Sequence, residues 1–272
     1  MPITKDLSHL LPSVIEIARS AGQLILEIYE KKDYEEFTKS DDTPVTSADL
    51  AAHKLISKKL TELTPDIPVL SEEAADISLE QRSQWDRYWL VDPLDGTQEF
   101  IARSGDFATI IALIEHNKPV MGVVYAPVSG VSYYAYSGKG AWKIPDLNDS
   151  VKIKTHHHEL PNQSIAMAIS RRQELSLMGQ YLNDSFDFEY VALGSCSLKN
   201  CLIAEGGADC YLRIGPTGEW DTGASQCILE QAGGHILDSE FNPLSYNSRE
   251  SLMNPDFLSL GNQSFCCQSS IS

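Results

Sequence analysis

One stretch constrains this chain more than any other: WLVDPLDGTQEF, residues 89–100. A run of apolar residues closes on Asp92 and Asp95, two like charges three residues apart, with Pro93 and Leu94 between them. The proline ring fixes one φ angle and stiffens the bend. That bend lets Asp92, a backbone carbonyl and Asp95 point into one space. Carboxylates held together in this way repel, and they need protons or a cation to coexist. Gly96 then offers a side-chain-free approach, and Thr97, Gln98 and Glu99 open a helix or turn whose free N–H groups can hold a phosphate.

Other acids stand at element ends. Glu72 follows PVLS, Asp221 opens a helix after Glu219 and Trp220, and Asp49 closes TPVTSAD. Taken singly, such an acid is a helix cap, an acid in a first helical turn, or a solvated turn residue. Brought together, hard oxygen ligands of this kind suit Mg²⁺. Two nearby Mg²⁺ ions beside an anion-binding turn are the parts of metal-assisted phosphoester hydrolysis.

Composition excludes several alternatives. The formal net charge of -17 over 272 residues repels nucleic acid polymers and anionic membranes, and no basic run offsets it. Hydrophobic residues, at 42%, are enough for a sizeable core. No apolar run reaches the roughly 18 residues needed to span a bilayer, and the N-terminus is not a secretory signal. The cysteines Cys196, Cys201, Cys210, Cys227, Cys266 and Cys267 include no CxxC pair, so they read as reduced thiols of a cytoplasmic protein. Cys266 and Cys267 fall in a polar tail expected to fray.

Apolar spacing over 7–31 predicts a long amphipathic helix, and a second helix follows Thr46 or Ser47 as cap. PVLS and RYWLVD read as strands. From Phe107 to Ile144, β-rich runs broken at HNKP, PVSG and SGKG predict consecutive antiparallel strands. SIAMAIS, FEYVALG and DCYLRIG then read as strands alternating with helices at RRQELSLMGQYL, SLKNCLIAEG and WDTGASQCILEQAGG, an α/β second half. A boundary near residues 145–160 divides the chain into lobes 1–150 and 151–272. His156, His157 and His158 fall there and read as a solvated loop. Cys196 and Cys201 lack zinc-site spacing, and Trp85 and Trp89 read as packing residues.

These motifs carry a resemblance. Glu72-Glu73, then Asp92-Pro93-Leu94-Asp95-Gly96-Thr97, then Trp220-Asp221 with Gly223-Ala224, resemble the signature of the lithium-sensitive, Mg²⁺-dependent phosphatase superfamily that includes inositol monophosphatase and fructose-1,6-bisphosphatase. Within it, TPVTSAD, VDPLDGTQEFI, SLKNCLIAEG and RIGPTGEWDTGA look like the 3'(2'),5'-bisphosphate nucleotidases of the bacterial CysQ type. Glu99 stands where inositol phosphatases more often have Asn, and Gln98 departs from the Lys of many members.

The resemblance implies a layered α-β-α-β-α sandwich of the α+β / α/β class. It implies two or three Mg²⁺ ions: Glu72, Asp92 and the Leu94 carbonyl hold one, and Asp92, Asp95 and Asp221 hold another. Glu72 helps position the attacking water, and Thr97 hands its proton toward Asp49. The implied substrate is a small-molecule nucleotide bisphosphate, adenosine 3',5'-bisphosphate or its sulfated analogue, contacted by Glu72, Leu94, Asp95, Gly96, Thr97 and Asp221. Lys199, Arg213, and Arg171 or Arg172 are candidates for its second phosphate. An inositol phosphate or sugar bisphosphate is the alternative substrate. Family precedent adds peripheral attachment to the inner membrane's cytoplasmic face, and oligomeric state is left open.

Overall fold

The computed structural model describes residues 8–32, 34–38, 44–146, 149–156, 164–173, 178, 181–182 and 187–261. The chain opens with helix α1 (Leu11–Lys31), which has a proline in its first turn, where no N–H is needed. Its buried residues Val14, Ala18, Ala21 and Ile25 recur at three to four residues and so form one face. A short hairpin, β1 (Glu36–Thr38) and β2 (Pro44–Thr46), leads into α2 (Ser47–Leu63). Thr46 caps α2: its hydroxyl accepts from the Ala48 amide, while the Asp49 carboxylate accepts from the Thr46 amide.

Next come β3 (Val69–Ser71), a single turn at Glu72–Ala74, α3 (Leu79–Arg82), β4 (Arg87–Asp95) and the five-residue α4 (Thr97–Ile101). The strands β5 (Ala108–Glu115), β6 (Lys118–Ala126), β7 (Val131–Tyr136), β8 (Ala141–Ile144) and β9 (Val151–Ile153) follow as an antiparallel meander. Among the described residues they form a seven-stranded sheet in the order β3 to β9, with β3 parallel to β4 and every other pair antiparallel. Side chains alternate across it. Trp89, Val91, Ile111 and Leu113 pack under α1 and α2. Leu90, Ile110, Ala112 and Val124 face the opposite way. The sequence predicts that β4 ends at Asp92, but the strand runs on through Pro93 to Asp95. Proline is tolerated because β3 stops opposite Val91 and the β4–β5 register shifts between Asp92 and Asp95.

The chain crosses to a second sheet between Ile153 and Ile165. That sheet comprises β10 (Ile165–Ile169), β11 (Phe188–Ala192), β12 (Cys210–Arg213), β13 (His235–Asp238) and β14 (Phe257–Leu260), in the order β11-β10-β12-β14-β13. β10 is parallel to both of its neighbours, and β14 is antiparallel to both of its own. Helices α5 (Cys196–Ala204) and α6 (Glu219–Ala232) lie between the sheets, sharing one core with Leu90 and Ala112 on one side and Tyr211 and Phe257 on the other. α6 presses closely on β6: a Cβ on Gly122 would fall 2.2 Å from the Ala224 carbonyl oxygen. α6 ends where expected, on Gly233 in the left-handed region. The outer face of the small sheet buries Met167, Leu212 and Leu258 with Met178 and Leu182.

The molecule is therefore the layered α+β sandwich that the resemblance implies. The helix expected over RRQELSLMGQYL lies mostly outside the described residues, as do His157, His158, Cys266 and Cys267. Trp85 and Trp89 both pack in cores, and Trp89 donates its indole N–H to the Thr64 hydroxyl at 2.8 Å. Among the described residues, no helix is long and apolar enough to cross a membrane.

Candidate active site

The β4 extension and three helix N-termini meet at one cavity. α4 begins directly after β4 through Gly96, whose φ of +99° is a left-handed turn that a side chain would strain. α5 enters at Ser195 and α6 at Gly218. The cavity has a volume of about 300 Å³, and its wall includes Glu72, Asp95, Thr97, Lys199, Arg213 and Asp221.

Carboxylate oxygens of Asp92, Asp95 and Asp221 lie within 4.8 Å of one another. Each is held by its own element. Asp92 accepts from the Leu94 amide at 2.9 Å across the proline bend. Asp221 accepts from the Gly218 amide at 2.6 Å in the first turn of α6. Asp95 accepts from the Ser195 hydroxyl and from the Cys196 and Ser197 amides, the latter two at 3.3 and 2.9 Å. Ser195 takes up the uncommon φ of +50°, a backbone strain that aims its hydroxyl and the next amides at Asp95.

The electrostatics follow from this crowding. Burial, then the charges of Glu72, Asp95 and Asp221, push the Asp92 carboxyl well above the usual carboxylate range. Burial, then Asp95 and Glu72, push Asp221 up to about 8. Crowded carboxylates that repel one another, Asp92 and Asp95 buried and Asp221 half-buried, fit a divalent cation such as Mg²⁺.

Thr97 stands beside this cluster. Its hydroxyl lies 3.0 Å from Asp49 Oδ1, to which it can donate, and 3.3 Å from the Leu94 carbonyl oxygen. The other Asp49 oxygen accepts from the Thr46 amide at 2.7 Å and from the Thr46 hydroxyl. Burial raises the Asp49 carboxyl above its ordinary range, against the lowering pull of these hydrogen bonds.

The candidate cations differ in how they are held. Lys199 is 2% exposed, and its ammonium donates to the carbonyls of Leu193, Gly194 and Ser195 at 3.3, 3.4 and 2.6 Å. Burial holds its pKa below the usual lysine range. Arg213 donates to the Pro216 carbonyl at 2.9 Å. Arg172 lies at the mouth, on Gln98. Arg171 points to Asp106.

Sequence reasoning did not single out Ser195, Cys196 and Ser197 as supports of Asp95. Their signal was the small-residue run GSCS before a helix, a cap in sequence terms alone.

Comparison with known proteins places this geometry. The model of the inositol monophosphatase family matches residues 6–268. The chain is 44% identical to the 3'(2'),5'-bisphosphate nucleotidase CysQ of Haemophilus influenzae, with 94% of each chain covered. It is 47% identical to that of Salmonella typhimurium, covering 91% of this chain and 98% of the relative. Among solved structures, CysQ from Bacteroides thetaiotaomicron, a bacterial member of the inositol monophosphatase family, superposes with a TM-score of 0.80 at 36% identity over 95% of this chain and 99% of that one. A match across nearly the whole length therefore joins the carboxylate cluster and the layered fold, and the chain belongs to the inositol monophosphatase family.

Proposed function

We propose that this protein is a Mg²⁺-dependent 3'(2'),5'-bisphosphate nucleotidase that hydrolyses adenosine 3',5'-bisphosphate to AMP and phosphate. The chemistry rests on one observation, the convergence of Asp92, Asp95 and Asp221 within 4.8 Å beside a cavity. The substrate rests on the activity named for relatives that match more than nine-tenths of the chain.

Glu72, Asp92 and the Leu94 carbonyl would hold one Mg²⁺, and Asp92, Asp95 and Asp221 a second. When bound, these ions lower the pKa of a coordinated water and neutralise charge on the leaving oxygen. The protein's own residues handle the proton. The Thr97 hydroxyl donates to Asp49, which leaves a lone pair free to accept from the attacking water. As the water oxygen bonds to phosphorus, the bond from phosphorus to the ribose 3'-oxygen would break; the water proton would pass to Thr97 Oγ1 and the threonine proton to Asp49 Oδ1, while the leaving 3'-oxygen takes up a proton from solvent. Burial makes Asp49 the more willing acceptor. The Gly96 and Thr97 amides at the start of α4, where a helix's first N–H groups lack intrahelical acceptors, would be available to the same phosphate. Residues 1–150 would supply Asp49, Glu72, Asp92, Asp95 and Thr97, and residues 151–272 would supply Asp221 and the walls that select the nucleoside.

The buried thiols Cys196, Cys201 and Cys227 suit a reducing compartment such as the cytoplasm. A phosphate-release panel of adenosine 3',5'-bisphosphate, inositol 1-phosphate and fructose 1,6-bisphosphate tests the substrate. The expected order of kcat/KM puts the nucleotide first. Faster turnover of inositol phosphate would move the chain to the inositol phosphatase branch.

A further inference from the structure

Asp95 is oriented by donors from a distant part of the chain: the Ser195 hydroxyl and the Cys196 and Ser197 amides. Those donors begin one residue after Gly194, in a loop strained at Ser195 by its φ of +50°. A strained loop keeps its aim only where its surroundings fix it. This one is fixed at both poles of its backbone.

The carbonyl pole is held by Lys199, whose ammonium gathers the oxygens of Leu193, Gly194 and Ser195. The amide pole is held from the side of the seven-stranded sheet. Asp106 Oδ2 accepts from the Gly194 amide at 2.9 Å. The Asp106 side chain is largely enclosed, at 16% exposed, and the Arg171 Nε–H donates to the same oxygen. A backbone N–H that meets a carboxylate makes a charge-assisted bond, roughly twice as strong as a neutral one.

Packing points the same way. A Cβ on Gly194 would fall 2.6 Å from the Asp106 Cβ and 2.7 Å from the Asp106 carbonyl oxygen, so the approach leaves no room for a side chain at 194. The same carbonyl oxygen lies 3.1 Å from the place of a Cβ on Gly96, the residue after Asp95. Asp106 therefore sits between the two turns that frame Asp95, one ending its own strand and one supplying its donors. Local structure sets it there. α4 ends at Ile101, Gly105 turns with a φ of +83°, and β5 begins at Ala108. The Ser104 hydroxyl, which donates to Glu99, also accepts from the Asp106 amide at 3.3 Å.

Building on the reading of the carboxylate cluster as a cation site, we infer that Asp106 is a positioning residue for that site. It acts through Gly194, pinning the turn from which Ser195, Cys196 and Ser197 orient Asp95.

The test measures Mn²⁺ binding to metal-free protein from the EPR signal of the free ion, beside the Mg²⁺ dependence of adenosine 3',5'-bisphosphate turnover. Mn²⁺ takes the same hard oxygen ligands. In Asp106→Ala, Mn²⁺ affinity falls about 10- to 100-fold, the scale of a lost partner behind a metal ligand. The Mg²⁺ concentration for half-maximal activity rises by a similar factor, while saturating Mg²⁺ restores most of kcat. Asp106→Asn, whose side-chain oxygen can still accept from the Gly194 amide, recovers most of the affinity. Asp106→Ala combined with Ser195→Ala loses less than the product of the two single losses, because both act through one loop. Wild-type affinity in Asp106→Ala, an asparagine variant as weak as the alanine one, or a double variant showing the full product would overturn the assignment and leave the cation site standing. Asp106→Ser also fails to reach the amide and carries the same expectation. If neither truncation folds, Asp106 serves the fold and not the site, and the assignment is overturned. If metal-free wild type binds no Mn²⁺, the cation reading itself fails, and the assignment fails with it.

Discussion

Removing the metal should make folding stability depend on pH through the carboxylate cluster, and Asp221→Asn should remove part of that dependence. Asp221 sits at about 8 in the folded protein, against an ordinary 3.8. Between these values the folded state binds a proton that the unfolded chain has released. Stability of the metal-free protein therefore falls as pH rises through this window, by at most about 1.4 kcal/mol per pH unit. From pH 6 to pH 8 that amounts to no more than about 2.7 kcal/mol. Water reaches part of this half-buried side chain, so about half of that is a fair expectation. At roughly 2–4 °C per kcal/mol, it lowers Tm by about 3–5 °C. Asn has the shape of the protonated acid and can still accept from the Gly218 amide. Metal-free Asp221→Asn should thus match or exceed wild type at pH 8 and lose less between pH 6 and 8. It should also gain less Tm from added Mg²⁺, because a ligand is missing. Differential scanning fluorimetry in EDTA and in Mg²⁺ at the two pH values reads all of this. Equal pH slopes in both proteins, or an equal Mg²⁺ shift, would refute the idea that Asp221 is held charged by a cation.

Thr97→Val keeps the volume and removes the hydroxyl between Asp49 and the water, so kcat should fall about 10²- to 10⁴-fold with Tm little changed; steady-state kinetics beside a melting curve separates this from misfolding. Ser195→Ala deletes one of three donors orienting Asp95, and the Mg²⁺ concentration for half-maximal activity should rise about 10-fold or more. Gly122→Ala places a methyl 2.2 Å from the Ala224 carbonyl oxygen, so α6 must move; a loss of about 1–3 kcal/mol in urea unfolding is expected.

What could be read from the sequence was local. The α1 face, the Thr46 cap and the Gly233 stop are short-range patterns, and each appears where the spacing puts it. The meander from β5 to β8 is legible for the same reason: its turns carry their own signals, and neighbours in sequence are neighbours in the sheet. The β1–β2 hairpin escaped because its short strands, Glu36–Thr38 and Pro44–Thr46, form no apolar run. β13 and β14 escaped as well, since β14 inserts between β12 and β13 by contacts that no local pattern encodes. In the site, the acids were legible because each stands at an element end. Their partners were not. Nothing in GSCS says that its amides turn to Asp95, and nothing in SLKN says that the lysine is occupied by its own loop. Those facts depend on how α5 enters between the two sheets.

The central claim is that a cation held by Asp92, Asp95 and Asp221 drives phosphate release. The most direct measurement is hydrolysis of adenosine 3',5'-bisphosphate by wild type and Asp95→Asn, stripped with EDTA and then titrated with Mg²⁺. Wild type should be inactive when stripped and recover fully with Mg²⁺. Asp95→Asn should stay at least 10²-fold slower at saturating Mg²⁺, about the cost of losing a metal ligand at a site that stabilises developing charge. Unimpaired, magnesium-independent turnover in Asp95→Asn would contradict the account.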